Sequence, residues 1–367
     1  MQPANFLKHF IKETLAILLY NMRFGAASRL TNNGKSVPLI FYYHRICNSE
    51  DDFLSSPDLV VSKNNFEKQM QFIKEEFNVL PLDVVIGHFK KGKRLSCRDI
   101  AITFDDGYID NYINAYPILK KYGIPATIFI TTGYIGSNNL LWWDRLSLII
   151  KAMRNTEIKW DDFSSALLTR KLKNILSNKK ALKRSLTPLT DYLKSIGGDK
   201  RETIIHELGK TVLNSESFLP RQRIFLSWQE IKEMSGNGIT FGSHSHTHAI
   251  LTEIDGESLN RELSLSKELI RENVGAEVKG FSYPDGCLDD KVKAAVIKAG
   301  YHYAVQTNRS GTRYLPDIYS IPRKMIKESH STRCFNKFSK ALFAMELYGM
   351  ADRLFLRDVR RKNPYKL

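Results

Sequence analysis

The chain has 367 residues, 43% of them hydrophobic and 26% charged, with a formal net charge of +16. This is the composition of a globular protein, long enough for one large domain or two ordinary ones. It argues against a disulfide framework and a cysteine zinc site, because Cys47, Cys97, Cys287 and Cys334 are far apart and form no CxxC pair. No run approaches the ~20 apolar residues that cross a bilayer. The short apolar run at 15–20 has no clear cleavage site after it, so no secretory signal is read and a reducing cytoplasm is expected.

The charge is unevenly placed. Residues 151–225 carry 16 Lys/Arg against 8 Asp/Glu, residues 323–367 carry 12 against 4, and the remainder balances. Two basic segments point either to an anionic partner, such as a lipid headgroup, a lipid diphosphate or nucleic acid, or to solubility alone.

Phe6, Leu7, Phe10, Ile11, Leu15, Leu18 and Leu19 recur with helical period, so residues 4–24 read as an amphipathic helix. Asn32-Asn33-Gly34-Lys35 breaks it. Residues 37–43 are a buried strand by composition, 62–77 a helix, 77–80 a strand and 82–89 a helix. Residues 99–104 form a strand that runs into Asp105-Asp106-Gly107. A helix over 111–122 is stopped by Gly123, and 126–131 is the next strand. This alternation predicts a parallel α/β architecture. It lapses over about 140–226, a lysine-rich, helix-favouring stretch read as an insertion. It resumes with helices at 228–235, 256–274 and 291–299 and strands at 240–243, 280–283, 303–307 and 318–326. Residues 335–357 form a second amphipathic candidate, with Phe335, Phe338, Leu342 and Met345 among Lys337, Lys340, Arg353 and Arg357. The expected organisation is an N-terminal helix over 1–36, a core over 37–327 that contains the insertion, and a basic extension over 328–367.

Two segments carry chemistry. Thr103-Phe104-Asp105-Asp106-Gly107-Tyr108 places two carboxylates at a strand end. Like charges brought close shift each other's pKa unless a cation sits between them. One Asp as a ligand and the other as a free base resolves the conflict. The second segment is Gly242-Ser243-His244-Ser245-His246-Thr247-His248-Ala249. His244 and His248 stand four apart, and one helical turn puts both imidazoles on one face, with His246 pointing away. Asp106, His244 and His248 then leave positions open for water and substrate, as catalytic metal sites do. Alone, an Asp-Asp-Gly turn is usually only a turn, and a His-rich hexapeptide is often a solvated loop. Together, each after a strand, they favour a site.

These motifs resemble those of the polysaccharide deacetylases, the NodB-homology family. The resemblance extends to Leu39-Ile40-Phe41-Tyr42-Tyr43-His44-Arg45 and to the segment from Pro117 to Phe129. It continues through Phe281-Ser282-Tyr283-Pro284-Asp285-Gly286, Ala299-Gly300-Tyr301 and Ile321-Pro322-Arg323. It covers about residues 37–136 and 226–327. It implies a distorted (β/α) barrel and a bound divalent ion, Zn²⁺ or else Co²⁺, Ni²⁺ or Fe²⁺. It implies Asp105 as general base and Asp106, His244 and His248 as metal ligands. The reaction implied is hydrolysis of an N-acetyl group on a saccharide, with the metal and a backbone N–H of the Tyr283-Pro284-Asp285 loop facing the oxyanion.

The chain departs from the family in three places. Many members carry an arginine before that loop to hold the base; here the position is Ser282. Arg323 either substitutes for it or is a surface cation. The tyrosine usual in the loop is Asp285, expected to point outward because its charge would oppose an oxyanion. The C-terminal leucine–histidine motif that supplies the general acid is absent. His44 is the preferred replacement, although it also reads as a core histidine; His302 is expected at the surface and His330 in solvent. Tyr42, Tyr43, Trp142 and Trp143 are candidates for sugar stacking, and such aromatics are mostly core.

The expected function is metal-dependent N-deacetylation of a saccharide, free or lipid-linked, in bacterial surface-glycan synthesis. The rivals are an inactive glycan- or membrane-binding protein on the same scaffold, and a deformylase or O-deacetylase using the same site. No nucleic-acid partner is expected. The expected location is the cytoplasm; the two amphipathic termini and the basic segments either meet an anionic membrane surface or pack their apolar stripes against the barrel, as most amphipathic helices do.

Overall fold

The computed structural model describes residues 3–21, 31–32, 35–36, 38–48, 57–153, 170, 172–173, 182–212, 223–307, 317–332 and 337–350. Seven parallel strands close into a barrel: β1 (Leu39–Tyr43), β2 (Asp99–Phe104), β3 (Ala126–Ile130), β4 (Ile239–Ser243), β5 (Gly280–Ser282), β6 (Tyr303–Thr307) and β7 (Ile321–Met325). Each pairs with the next in chain order, and β7 pairs with β1 to close the ring. A short strand, Asn78–Val79, adds to the start of β2.

The described helices are α1 (Pro3–Asn21), α2 (Lys63–Glu76), α3 (Leu82–Lys90), α4 (Tyr116–Tyr122), α5 (Trp142–Met153), α6 (Leu182–Ser195), α7 (Gly198–Val212), α8 (Trp228–Ser235), α9 (Gly256–Val274), α10 (Asp290–Lys298) and α11 (Lys340–Leu347). Several begin where a short polar side chain caps them. Ser62 accepts from the Asn65 amide, Asp255 from Ser258 and Asp289 from Val292, each satisfying an N–H that the helix leaves over. Ser227 and Glu230 complete a reciprocal capping box on α8.

The helix expected over 111–122 is split. Asn111–Ala115 is a wide π-type turn, and α4 follows it. The widening has a cause in the side chains it presents. Asn111 and Asn114 donate to the carbonyls of His44 and Ile46, and Asp110 accepts from Arg45 and the Ile46 amide. The turn therefore fastens the loop after β1.

Alternation along the strands sorts two layers. Phe41, Tyr43, Ile100, Ile102 and Phe104 face outward into the main core beneath the helices. Ile40, Ala101, Phe129, Tyr303, Val305 and Ile321 face inward and pack against Leu82, Val85 and Ile86 of α3. Two glycines make room for this inner layer. A Cβ at Gly242 would lie 2.5 Å from the Phe129 ring, and one at Gly280 would lie 2.6 Å from that of Tyr303.

Between β3 and β4, α5, α6 and α7 share their own apolar cluster. Leu146, Ile149, Leu189, Leu193, Ile205 and Leu208 pack there with Trp142, Trp143 and Tyr108. Tyr108 directly follows the Asp-Asp-Gly turn, so this cluster abuts the catalytic end of the barrel.

The terminal segments behave unequally. On α11, Ala341 to Leu347 are all buried, and Ala341, Leu342 and Met345 close over Ala16 of α1. The expected C-terminal stripe thus packs inward where it is described; Phe335, Arg353 and Arg357 lie outside the described residues. On α1, Ile11 and Leu18 remain 52% and 55% exposed. No helix among the described residues is long and apolar enough to cross a membrane.

Candidate active site

Residues on or just after β2, β4, β5 and β7 converge in one buried cluster, with His44 after β1 beside it. Asp105 and Asp106 follow β2, and each is 1% exposed. Asp106 takes a left-handed φ of 74°. His244 and His248 follow β4, but they do not lie on a helix as their spacing suggests. The segment is a loop whose turns are made by left-handed Ser245 (φ 65°) and His248 (φ 62°). Ser245 Oγ accepts from the His248 amide, and Glu262 of α9 accepts from the amides of His246 and Thr247 and from the Thr247 hydroxyl. His246 turns away to Thr132. The non-glycine residues of positive φ among those described are Asp106, Ser245, His248 and Asp285, all at this site. Such backbone costs on the order of 1–3 kcal/mol each and persists only where its surroundings hold it.

The geometry fits a cation. Nε2 of His244 and Nε2 of His248 each lie 3.5 Å from Asp106 Oδ1. Ligands at about 2.1 Å around a tetrahedral ion stand about 3.4 Å apart. Both Asp106 oxygens are buried without a hydrogen-bond partner, an arrangement too costly to leave without a cation. Burial, then the charges of Asp105 and Asp144, push its carboxyl well above the usual carboxylate range when no cation is counted. Burial also lowers both imidazoles, that of His248 to about 3 with His244 adding to the effect. They are therefore neutral, as ligands must be. His244 Nδ1 bonds the Ser282 carbonyl at 2.7 Å, which leaves Nε2 with its lone pair inward.

Arg323 rises from β7 inside the barrel, fully buried between the rings of Tyr42 and Phe129. It donates to both oxygens of Asp105 at 2.8 and 2.6 Å, and to the hydroxyls of Thr103 and Ser282. Burial alone would raise the Asp105 carboxyl; the charge and hydrogen bonds of Arg323 outweigh it and hold the group at about 2. The short Ser282 side chain is what makes the arrangement work, because it accepts from the guanidinium instead of filling its space.

Other expected positions differ. Tyr283 is fully buried; its hydroxyl donates to the Tyr319 carbonyl and its ring packs against Phe281, so it offers no surface to a substrate. Pro284 is buried and starts a turn. Asp285 does not point outward: it has φ 54° and pairs with Lys194 of α6, its side chain only 8% exposed. His330 is buried against Glu346 in the C-terminal segment and not solvated. His302 meets Glu277 at the surface. His44 follows β1, its ring edge-on to Tyr42 at 5.4 Å, and its charge acts on Asp105. Tyr43 is core and bonds Gln69. Trp143 stacks edge-on against His248 at 4.7 Å and donates to Tyr108, which donates to buried Asp144. Lys194 and Asp144 carry no motif that marks them in the sequence.

The sequence profile described as polysaccharide deacetylase matches residues 92–304. A poly-β-1,6-N-acetyl-D-glucosamine N-deacetylase of Staphylococcus aureus is 35% identical over 301 residues, covering 79% of each chain. The enzyme of the same name from Staphylococcus epidermidis is 28% identical over 62% of this chain and 79% of its own. A polysaccharide deacetylase from Bacillus cereus shares the fold with a TM-score of 0.52 at 21% identity, over 86% of this chain and 70% of that one. With its closed seven-stranded barrel and its Asp-Asp and His-x-x-x-His motifs, the chain belongs to the polysaccharide deacetylase (NodB-homology) family of carbohydrate deacetylases.

Proposed function

We propose that the protein hydrolyses N-acetyl groups from N-acetylglucosamine units of a bacterial surface glycan, using a zinc ion held by Asp106, His244 and His248. The observation that carries this reading is the division of labour between adjacent carboxylates. One is buried without a partner between two imidazoles; the other is clamped and ionised by Arg323. The substrate class is supported by the relatives, whose names specify poly-β-1,6-N-acetyl-D-glucosamine.

When bound, the ion supplies Lewis acidity toward the acetyl carbonyl. Asp105 takes one proton from the attacking water, whose oxygen bonds to the acetyl carbon. The backbone N–H of Asp285 faces the oxyanion. As the C–N bond breaks, the nitrogen takes a proton from protonated His44 and leaves as the amine; the proton still on the added hydroxyl passes to that amine, so the products are acetate and an ammonium, and Asp105 returns its proton to His44. The test is acetate release from oligomers of β-1,6-N-acetylglucosamine, with O-acetylated and N-formylated sugars as controls. Turnover of the controls alone would establish the rival esterase or deformylase reading, and turnover of nothing would favour an inactive scaffold.

His44 as the acid makes a separate prediction. His44→Ala should lower kcat by about 10²-fold with KM little changed, whereas His330→Ala should leave both near wild type. The reverse pattern would move the acid to the C-terminal segment.

The same reading extends to place. The exposed Ile11–Leu18 face of α1, together with the basic segments, would hold the enzyme peripherally on the cytoplasmic membrane, where a lipid-linked glycan is presented. The protein should float with anionic liposomes at low salt and be released at high salt; Ile11→Ser/Leu18→Ser should abolish flotation. Failure to float at any salt would leave a free enzyme.

A further inference from the structure

We infer that Lys194, contributed by the insertion, is an electrostatic positioning residue of the active site, whose task is to neutralise Asp285 beside the developing oxyanion. The inference rests on the reading of the site as an N-deacetylase centre.

Asp285 occupies an unfavourable position for a carboxylate. Its loop is fixed by local bonds: the Gly286 and Cys287 amides donate to the Tyr283 and Pro284 carbonyls, and the Thr307 hydroxyl donates to the Asp285 carbonyl. The backbone at Asp285 is left-handed, and its side chain pairs with Lys194 and is only 8% exposed. Its charge acts on Asp106, His244 and His248 alike. Attack on the acetyl carbon moves negative charge onto the carbonyl oxygen in this space, and a bare carboxylate there would oppose it.

Lys194 answers that charge from 91 residues away in the chain. It stands near the C-terminal end of α6, where Leu189 and Leu193 anchor the helix against Trp142 and Trp143. Its ammonium lies 6.0 Å from the centre of the Trp142 ring and contacts Asp285, with its side chain 13% exposed. Its charge also acts on Asp106 and His248, opposite in sign to that of Asp285. The two charges thus offset one another at the ligand set. The insertion is in this sense part of the active site and not an appendage.

A double-variant cycle on the full-length protein tests the idea with two readouts. The first is kcat and KM on a β-1,6-N-acetylglucosamine oligomer. The second is the affinity of the metal-free protein for Zn²⁺, by competition with a chromogenic chelator. Lys194→Met keeps the length of the side chain and removes its charge. It should lower kcat by about tenfold with KM little altered, and it should tighten Zn²⁺ binding, because the site becomes more negative. Asp285→Asn, tolerated at left-handed φ, should weaken Zn²⁺ binding. The double variant should return both quantities to within about threefold of wild type. Structural damage moves metal affinity the other way, toward weaker binding, and is not repaired by Asp285→Asn. The proposal is overturned if Lys194→Met weakens Zn²⁺ binding, leaves kcat unchanged, or is no better in the double variant. If the wild type turns over no acetylated sugar, the N-deacetylase reading fails, while the sign of the Zn²⁺ shift still decides whether the pair sets the potential at the metal.

Discussion

Asp105→Asn is expected to lower kcat by about 10³-fold while leaving one metal ion per chain. The asparagine keeps the shape of the side chain and one acceptor for Arg323, but it cannot take a proton from water. It leaves the guanidinium of Arg323 in the barrel interior with its carboxylate gone. Removing one partner of a buried pair costs about 3 kcal/mol or more, so the variant should also melt at lower temperature. Activity, metal content by elemental analysis and thermal melting, measured on one preparation, separate the two effects. A kcat near wild type would show that another group takes the proton. Arg323→Lys should reproduce part of the same loss, because an ammonium cannot bridge two carboxylate oxygens and two hydroxyls at once.

Removal of the metal should abolish turnover altogether. Chelator-treated protein should regain activity on addition of Zn²⁺, and Asp106→Asn should weaken Zn²⁺ binding by more than about 100-fold, since even residues behind the ligands are worth about 10–100-fold. The contrast with Asp105→Asn is the informative part. The two residues are adjacent in sequence and equally buried, yet one variant should bind metal without turnover and the other should fail to bind it. Binding of Zn²⁺ at 100 times its Kd should also add about 2.7 kcal/mol to stability, a rise in melting temperature that Asp106→Asn would lose. Equal metal affinities for the two variants would overturn the division of roles.

Much of this was readable from the residues. The strands end where Asp105 and His244 begin, because apolar β-rich runs stop at polar turn residues. Arg323 falls within the strand read over 318–326 and lies in the middle of β7, although its burial could not be read from one dimension. What escaped prediction has physical reasons. The four-residue spacing of His244 and His248 suggests a helix, but a loop with two left-handed residues brings the rings together equally well, and neither Ser nor His announces that backbone. Tyr283 alternates into the core because the residue before it, Ser282, faces the barrel interior. Asp285 was expected outside because its natural partner is solvent; Lys194 comes from a helix packed on an independent apolar cluster, and nothing local signals the pairing. His330 sits in a polar stretch, yet α11 folds back and buries it.

The inner layer built around Gly242 and Gly280 has a further consequence. Phe129 and Tyr303 fill the barrel, α3 stoppers it from below, and the Tyr303 hydroxyl is tied to Asp83 of that helix. The barrel is a blind well and not a tunnel. A glycan chain cannot thread through it; on the proposed reading the chain would lie across the rim and dip one acetamido group inward. On the proposed N-deacetylase reading, interior units of a polymer would then be as accessible as its ends, and no free terminus would be needed to begin.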